Sequence, residues 1–336
     1  MIPKVSFVVA IYNVAQYIEQ CVRSLYEQTL EDIEIILVDD CTPDDSIAIA
    51  LRALDDYPNR KSQVKVVRHE VNQGLPGVRK NGIAAAHGEY IINFDGDDFA
   101  DARMAELLYN KAAETSADLT ICDYYRYSED NCTQHSLVRN VLSERGDKVR
   151  DDIINRMVPP YLWCMLIHRS IFTNNEFVWP VRNMAENNVV SMQVAYYSKS
   201  VSHVNTPLYY YRNNPASITK NKTKERCIRN LKDFQANIEI YEQFLVQKNM
   251  EDKYSYGIFI NKIRAKRCVI KFTNSRDCRQ LWLRTFPEAN KIFLFGNKYH
   301  KPSYREWVWF FTIILGLYPR FEKYLKKQFR LAKELM

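Results

Sequence analysis

The first 125 residues alternate short, uninterrupted apolar runs with stretches whose apolar positions recur every three or four residues. Val5-Ser6-Phe7-Val8-Val9-Ala10 and Ile33-Glu34-Ile35-Ile36-Leu37-Val38 read as strands buried on both faces, since a strand with one wet face would alternate apolar with polar residues. Val64–Val67, Tyr90–Phe94 and Leu119–Cys122 complete five predicted strands. Four predicted helices separate them. The first runs through Ile18, Cys21, Val22 and Leu25. The second is opened by Thr42-Pro43, a capping residue followed by proline, and has Ile47, Ala50, Leu51 and Leu54 as its stripe. The others cover about 75–86 and 101–116. This alternation predicts an α/β fold with a mainly parallel, Rossmann-like central sheet and flanking helices.

Beyond Asp123 the period loosens and aromatic residues accumulate, so 126–221 is expected to extend the same domain and close over its site. From Lys222 a helical pattern takes over, with Ile228, Leu231, Phe234, Ile238, Tyr241 and Leu245 in register. The expected division is a catalytic-type domain over 1–221, split into halves at 125, and a helical C-terminal region over 222–336. No internal repeat or low-complexity linker interrupts it.

Composition adds a location. The formal charge is +7, and from Lys298 to the end nine basic residues face three acidic ones, so most of the excess sits in the tail. None of the eight cysteines forms a CxxC pair, and no His/Cys spacing suggests zinc, which predicts a reducing compartment. Met1-Ile2-Pro3-Lys4 leads straight into a strand without a signal-peptide pattern, consistent with a cytoplasmic protein.

The candidate chemistry lies at the strand ends. In open parallel sheets ligands bind beyond the carboxyl ends of the strands, where strand order reverses. The second strand runs into Asp39-Asp40 and the fourth into Asp95-Gly96-Asp97-Asp98. Singly, these residues read equally well as turn or helix-capping aspartates. Three carboxylates within four residues, however, repel one another unless a cation or a hydrogen-bond network relieves them. Hard oxygen ligands suit Mn²⁺ or Mg²⁺, which use one or two carboxylates together with phosphate oxygens. No Gly-rich loop is present, and the first turn, Ala10-Ile11-Tyr12-Asn13, lacks dinucleotide-binding glycines. A diphosphate would therefore rest on metal and on basic side chains such as Arg79 and Lys80.

Val8-Val9-Ala10-Ile11-Tyr12-Asn13, Ser24-Leu25-Tyr26-Glu27-Gln28-Thr29, Leu37-Val38-Asp39-Asp40-Cys41-Thr42, Asn72-Gln73-Gly74, Arg79-Lys80-Asn81-Gly82, Gly88-Glu89-Tyr90-Ile91 and Asp95-Gly96-Asp97-Asp98 follow one another in this order. Over its first 125 residues the chain resembles the family 2 inverting glycosyltransferases of the GT-A fold. The resemblance implies a nucleoside diphosphate sugar, UDP-linked by family habit, as donor and Mn²⁺ or Mg²⁺ as cofactor. It implies Asp40 on the nucleobase, with the backbone near Ala10 and Tyr12 lining that pocket, and Arg79 near the nucleotide. Asp95 would face the ribose or the metal, and Asp97 and Asp98 would form the metal site, with the direct ligand of the two left open.

An inverting transferase needs a carboxylate to deprotonate the acceptor. The family commonly takes it from a Glu-Asp pair; here the matching residues are Glu186-Asn187, which makes Glu186 the base candidate. Its plain structural reading is a helix N-terminal glutamate favoured by the macrodipole. In Tyr161-Leu162-Trp163-Cys164-Met165-Leu166, Met165 replaces a lysine usual in the family. Pro207-Leu208-Tyr209-Tyr210-Tyr211-Arg212 and Ser217-Ile218-Thr219 match again, and imply Arg212 and Ser217 on a loop closing over the diphosphate.

In the tail, Trp307 to Tyr318 is strongly apolar but shorter than the ~20 residues a spanning helix needs. Aromatic residues interleaved with Lys323, Lys326, Lys327 and Arg330 follow it. This predicts peripheral contact of 298–336 with the cytosolic face of an anionic membrane, with packing on the catalytic domain or a second subunit as the plainer reading. No nucleic-acid-reading module is present. The expected acceptor is a glycan or lipid-linked glycan, as in surface polysaccharide synthesis, and the oligomeric state is open. The competing readings are a degenerate nucleotide-binding homologue, favoured by Asn187 and Met165, and a sugar-phosphate nucleotidyltransferase, disfavoured by the missing Gly-rich loop.

Overall fold

The five predicted strands form one flank and the middle of a nine-stranded sheet: β1 (Val5–Ile11), β2 (Ile33–Asp39), β3 (Val64–Arg68), β4 (Tyr90–Asp95), β5 (Phe99–Ala100), β6 (Leu119–Ser128), β7 (Asn131–His135), β8 (Met165–His168) and β9 (Val201–Arg212). The order is β3-β2-β1-β4-β8-β6-β9-β5, with β7 paired to β6. The computed structural model describes residues 2–128, 131–135, 146–159, 161–214, 223–270, 275–296, 301, 304–315 and 317. They fall into two compact units, Met1–Pro215 and Ala216–Met336.

Strands β3, β2, β1 and β4 run parallel, as their continuous apolar character predicts, and β1 and β2 are almost wholly buried. The second half of the unit mixes the sheet. Strand β8 inserts antiparallel between β4 and β6, while β9 lies parallel to β6 across a register shift at Cys122–Tyr124. The helices of this unit are α1 (Ile18–Tyr26), α2 (Ser46–Ala53), α3 (Gly74–Ala85), α4 (Met104–Thr115), α5 (Gly146–Ile154), α6 (Ser170–Thr173) and α7 (Glu186–Tyr197). On α1, Ile18, Cys21, Val22 and Leu25 are fully buried, as their spacing requires. This is the GT-A, Rossmann-like architecture, with a helical C-terminal part.

Two boundaries depart from expectation. Helix α2 starts at Ser46 instead of Pro43, because the Thr42 hydroxyl is used otherwise: it accepts from Asn13 N at 2.8 Å and donates to Asp44 Oδ1 at 2.7 Å. Leu51, expected on the buried stripe, is exposed. Helix α4 starts at Met104, three residues late, since Asp101 folds back onto Arg103.

The second unit contains α8 (Lys224–Gln247), α9 (Ser255–Ile270), α10 (Ser275–Arg284), α11 (Pro287–Phe295) and α12 (Tyr304–Ile314). Leu231, Ile238, Phe259, Trp282, Phe286 and Phe310 belong to its core. Within it Lys266 is fully buried, donating to Trp282 O at 2.6 Å and Asn290 Oδ1 at 3.0 Å, with Glu288 and Lys262 as neighbouring charges. Burial pushes its amine down to about 7. The unfolded chain therefore binds more protons between about pH 7 and the ordinary lysine value, so the unit gains stability as pH rises through that window. Lys266→Met should flatten the rise in melting temperature between pH 7 and 9 while leaving the helices intact by circular dichroism. A variant with the same pH slope as the parent would refute this origin.

Candidate active site

The register of β1 decides where the carboxylates meet. Ile11 pairs with Asp39 on one side and Ala10 with Asp95 on the other, so the acidic ends of β2 and β4 flank the carboxyl end of β1 at the point where strand order reverses. Asp40 N donates to Ile11 O at 3.1 Å and Gly96 N to Ala10 O at 3.1 Å, fixing both acidic turns to β1. A Cβ on Gly96 would lie 2.5 Å from Ala10 O, a backbone atom with nowhere to move. Gly96→Ala is expected to cost about 1–3 kcal/mol in chemical denaturation; an unchanged midpoint would show that the turn gives way freely.

Each carboxylate has its own partners. Asp39 accepts from Thr42 N and from Arg68 Nη1, both at 2.9 Å. Asp40 is buried and accepts from Gln73 N at 2.7 Å and Gly74 N at 2.8 Å, while its Oδ1 lies 2.8 Å from His69 Nδ1. Its carboxylate is thus bonded to the start of α3, while Ala10 is half-buried and Tyr12 exposed at the carboxyl end of β1. His69 had no signal in the sequence beyond its place just after a strand.

Asp98 is buried, taking the Tyr209 hydroxyl on Oδ2 and Arg212 N on Oδ1, each at 2.6 Å. Burial, then the charges of Asp97 and Asp95, push its carboxyl well up despite these two donors. Asp97 accepts on Oδ2 from Asn214 Nδ2 at 2.8 Å. The side chain of Asp95 is 26 % exposed, with Arg79 Nη2 3.6 Å from its Oδ1. Among the described residues no three His, Cys, Asp or Glu side chains group to hold a metal by themselves. The donor set of Asp97 and Asp95 fits a hard divalent cation that takes one or two protein carboxylates and completes its shell with phosphate and water.

Arg79 does not reach toward open solvent. Its guanidinium is buried and bridges the two halves of the unit, with Nη1 2.9 Å from Glu186 Oε2 and bonded also to Asn187 Oδ1, and Nη2 beside Asp95. Glu186 opens α7 behind Ala185, a non-glycine residue held in the left-handed region at φ 65. Burial pushes the Glu186 carboxyl up to about 7, Arg79 opposing and Asp95 reinforcing the shift. Asn13 and Cys41, on the other two loops of the site, are also left-handed, at φ 54 and 57.

Arg212 was expected to clamp the diphosphate. In the structure its guanidinium lies 5.1–5.3 Å from the rings of Tyr17, Phe99 and Tyr127, donates through Nε to Asp97 O at 2.8 Å and is bonded through Nη2 to Gln20 Oε1. It braces the acidic turn from behind. Ser217 lies outside the described residues.

Residues 6–173 match the family described as glycosyl transferase family 2. The chain belongs to that family. This family 2 glycosyltransferase is 36 % identical over 252 residues to the uncharacterized glycosyltransferase EpsJ of Bacillus subtilis (strain 168), covering 73 % of this chain and 71 % of that one. Among solved structures it resembles S. aureus TarS 1-349 in complex with UDP-GlcNAc, with a TM-score of 0.56 and 17 % identity over 88 % of this chain and 93 % of that one. It also resembles the mannosyltransferase PcManGT from Pyrobaculum calidifontis in complex with GDP-Man and Mn²⁺, with a TM-score of 0.54 and 14 % identity over 94 % and 86 % of the two chains. At these identities the likeness is one of fold.

Proposed function

We propose that this glycosyltransferase moves a sugar from a UDP-sugar to a glycan or lipid-linked glycan with inversion, using Mn²⁺ or Mg²⁺. One observation carries the reading: Arg79 ties Glu186, the base candidate, to Asp95 at the donor end of the site. Asp97 and Asp95 would hold the divalent cation, which when bound neutralises the diphosphate and eases its departure. Asp98, already satisfied by Tyr209 and Arg212, holds the turn; this favours Asp97 as the direct ligand. Ala10, Tyr12 and the Asp40-anchored start of α3 line the base pocket.

With Oε2 held by Arg79, Glu186 Oε1 takes the proton from the acceptor hydroxyl. The acceptor oxygen bonds to the anomeric carbon as the bond to the diphosphate breaks, and UDP leaves with that electron pair. A carboxyl titrating near 7 is matched to this duty at neutral pH. NMR of the first sugar released from a panel of α-linked UDP- and GDP-sugars, with water as acceptor, tests the donor and the stereochemistry together. The β-anomer with UDP is expected. The α-anomer appearing first would overturn inversion, and turnover of GDP-sugars alone would overturn the uridine assignment.

The reading also places the protein on the cytosolic face of a membrane. No helix among the described residues is long and apolar enough to cross one. On α12, Phe310 and Ile313 pack into the helical core, whereas Trp307 (43 % exposed) and Phe311 (48 %), with Leu315 (68 %) just past its end, form an outward ladder. The sequence after it is rich in lysine and arginine, which suits an interfacial helix on anionic lipid. Co-sedimentation with phosphatidylglycerol vesicles should fall about tenfold in a Trp307→Ser/Phe311→Ser variant. Equal sedimentation of parent and variant would count against the membrane assignment.

A further inference from the structure

Two contacts, one turn apart along α3, hold the opening of α7 against that helix. One is the Arg79 guanidinium, bonded to Glu186 and Asn187. The other is Asn183, whose Oδ1 accepts from Leu75 N at 2.9 Å. The fit at Asn183 is close, for a Cβ on Gly74 would collide with that oxygen. Gly74 is itself left-handed, at φ 73. Gln73 N and Gly74 N go to Asp40 and Leu75 N to Asn183, so the two side chains share three successive N–H groups at the start of α3.

Between the two contacts lies Ala185, left-handed at φ 65. Its Cβ crowds the following carbonyl in that conformation, so the turn persists where its surroundings hold it. Asn183 holds it from two residues before, and Arg79, through Glu186, from one residue after. The rest of the loop between α6 and α7 is seated independently. Gln193, fully buried on α7, accepts from Val178 N at 2.8 Å and donates to Val178 O at 2.7 Å. Trp179 packs on the core cluster that includes Val8, Val78 and Ile91. Loss of Asn183 therefore leaves the loop in place and releases the turn through which Glu186 enters the site.

We infer that Asn183 is a positioning residue for sugar transfer: by hooking the Ala185 turn to the start of α3, it sets the direction in which Glu186 presents Oε1. This rests on the reading of Glu186 as the base. A carboxylate held through Oε2 by Arg79 alone can pivot about that bond. A second tether on the other side of the turn removes the pivot, and a base kept in line spares the reaction the cost of orienting it. The hook also ties the base to the same first turn of α3 that Asp40 fixes, so the donor and acceptor halves of the site share one register.

Two measurements on parent and variants test this. Steady-state UDP release with Mn²⁺, from whichever of UDP-glucose, UDP-galactose and UDP-N-acetylglucosamine the parent turns over, separates kcat from KM. Hydrogen exchange by NMR follows the amides of Leu75 and of Asn188, the latter bonded to Ala185 O at 3.0 Å. In Asn183→Ala, kcat is expected to fall at least about tenfold while KM and UDP affinity stay within about twofold, the pattern of a misplaced reacting group. Both amides should exchange at least about tenfold faster as the turn opens locally. Asn183→Asp keeps an accepting oxygen at the helix start and should remain within about threefold of the parent. Adding Ala185→Gly to Asn183→Ala should raise kcat again by at least about threefold, because glycine takes the left-handed turn without a holder. Unchanged kcat in Asn183→Ala, a fall that Asn183→Asp shares in full, or unaltered exchange at Asn188 would each overturn the positioning role. A parent that releases no UDP from any of the three donors, with both amides shifting as expected in Asn183→Ala, would be a failure of the transferase reading and would leave the hook standing.

Discussion

Glu186→Gln is expected to lower sugar transfer about 10²–10⁴-fold, the span typical of a lost general base, while UDP affinity stays near that of the parent. Glutamine is close to isosteric with glutamate and can still accept from Arg79 through its carbonyl, so the bridge between α3 and α7 survives the change. What disappears is the proton-accepting oxygen. The pH profile gives a second readout. The base works ionised, so below about pH 7 the rate should fall roughly tenfold per unit as Glu186 protonates, and above it the rate should level off. Arg79 opposes the upward shift, so Arg79→Met should carry the acid limb to higher pH. An unaltered profile in Glu186→Gln would hand the base role to another group.

Asp97→Ala should reduce metal-stimulated nucleotide release by at least about 10²-fold, on the scale of one lost electrostatic contact to developing charge. Its stability should change little, since the side chain gives up one hydrogen bond, from Asn214. Asp98→Ala differs in kind. It strands the Tyr209 hydroxyl and Arg212 N in a buried place, and each unsatisfied group costs about 1–3 kcal/mol. A folded, inactive Asp97 variant and a destabilised Asp98 variant are expected, measured by denaturation and nucleotide release in parallel. A stable Asp98 variant with lost metal stimulation would reverse the two roles.

The parallel half of the sheet was legible because its strands are buried on both faces, and a run such as Ile33–Val38 has few other uses. The later strands were not: β8 is four residues long, and β9 owes its place to a parallel pairing with β6 some 80 residues earlier in the chain. Thr42-Pro43 imitates a helix start because local chemistry cannot announce that Asn13, from another loop, will claim the hydroxyl. At the site the residue types were readable and their partners were not. Arg79 looked like a phosphate contact, and its bridge to Glu186 spans 107 residues. Asp98 and Arg212 were expected at the metal and the diphosphate, and what the sequence did not show is that Arg212 N donates to Asp98 and Arg212 Nε to Asp97 O across the acidic turn.

Nucleotide release from UDP-sugars by the parent protein, Asp97→Ala and Glu186→Gln, each with Mn²⁺, Mg²⁺ or chelator, decides whether a cation at Asp97 and a base at Glu186 drive the transfer. Release is expected to require the cation in the parent, to be lost with Asp97 whatever the metal, and to collapse with Glu186 without weakening UDP binding. Release by the parent that persists undiminished in chelator, or survives loss of Asp97, would contradict that assignment.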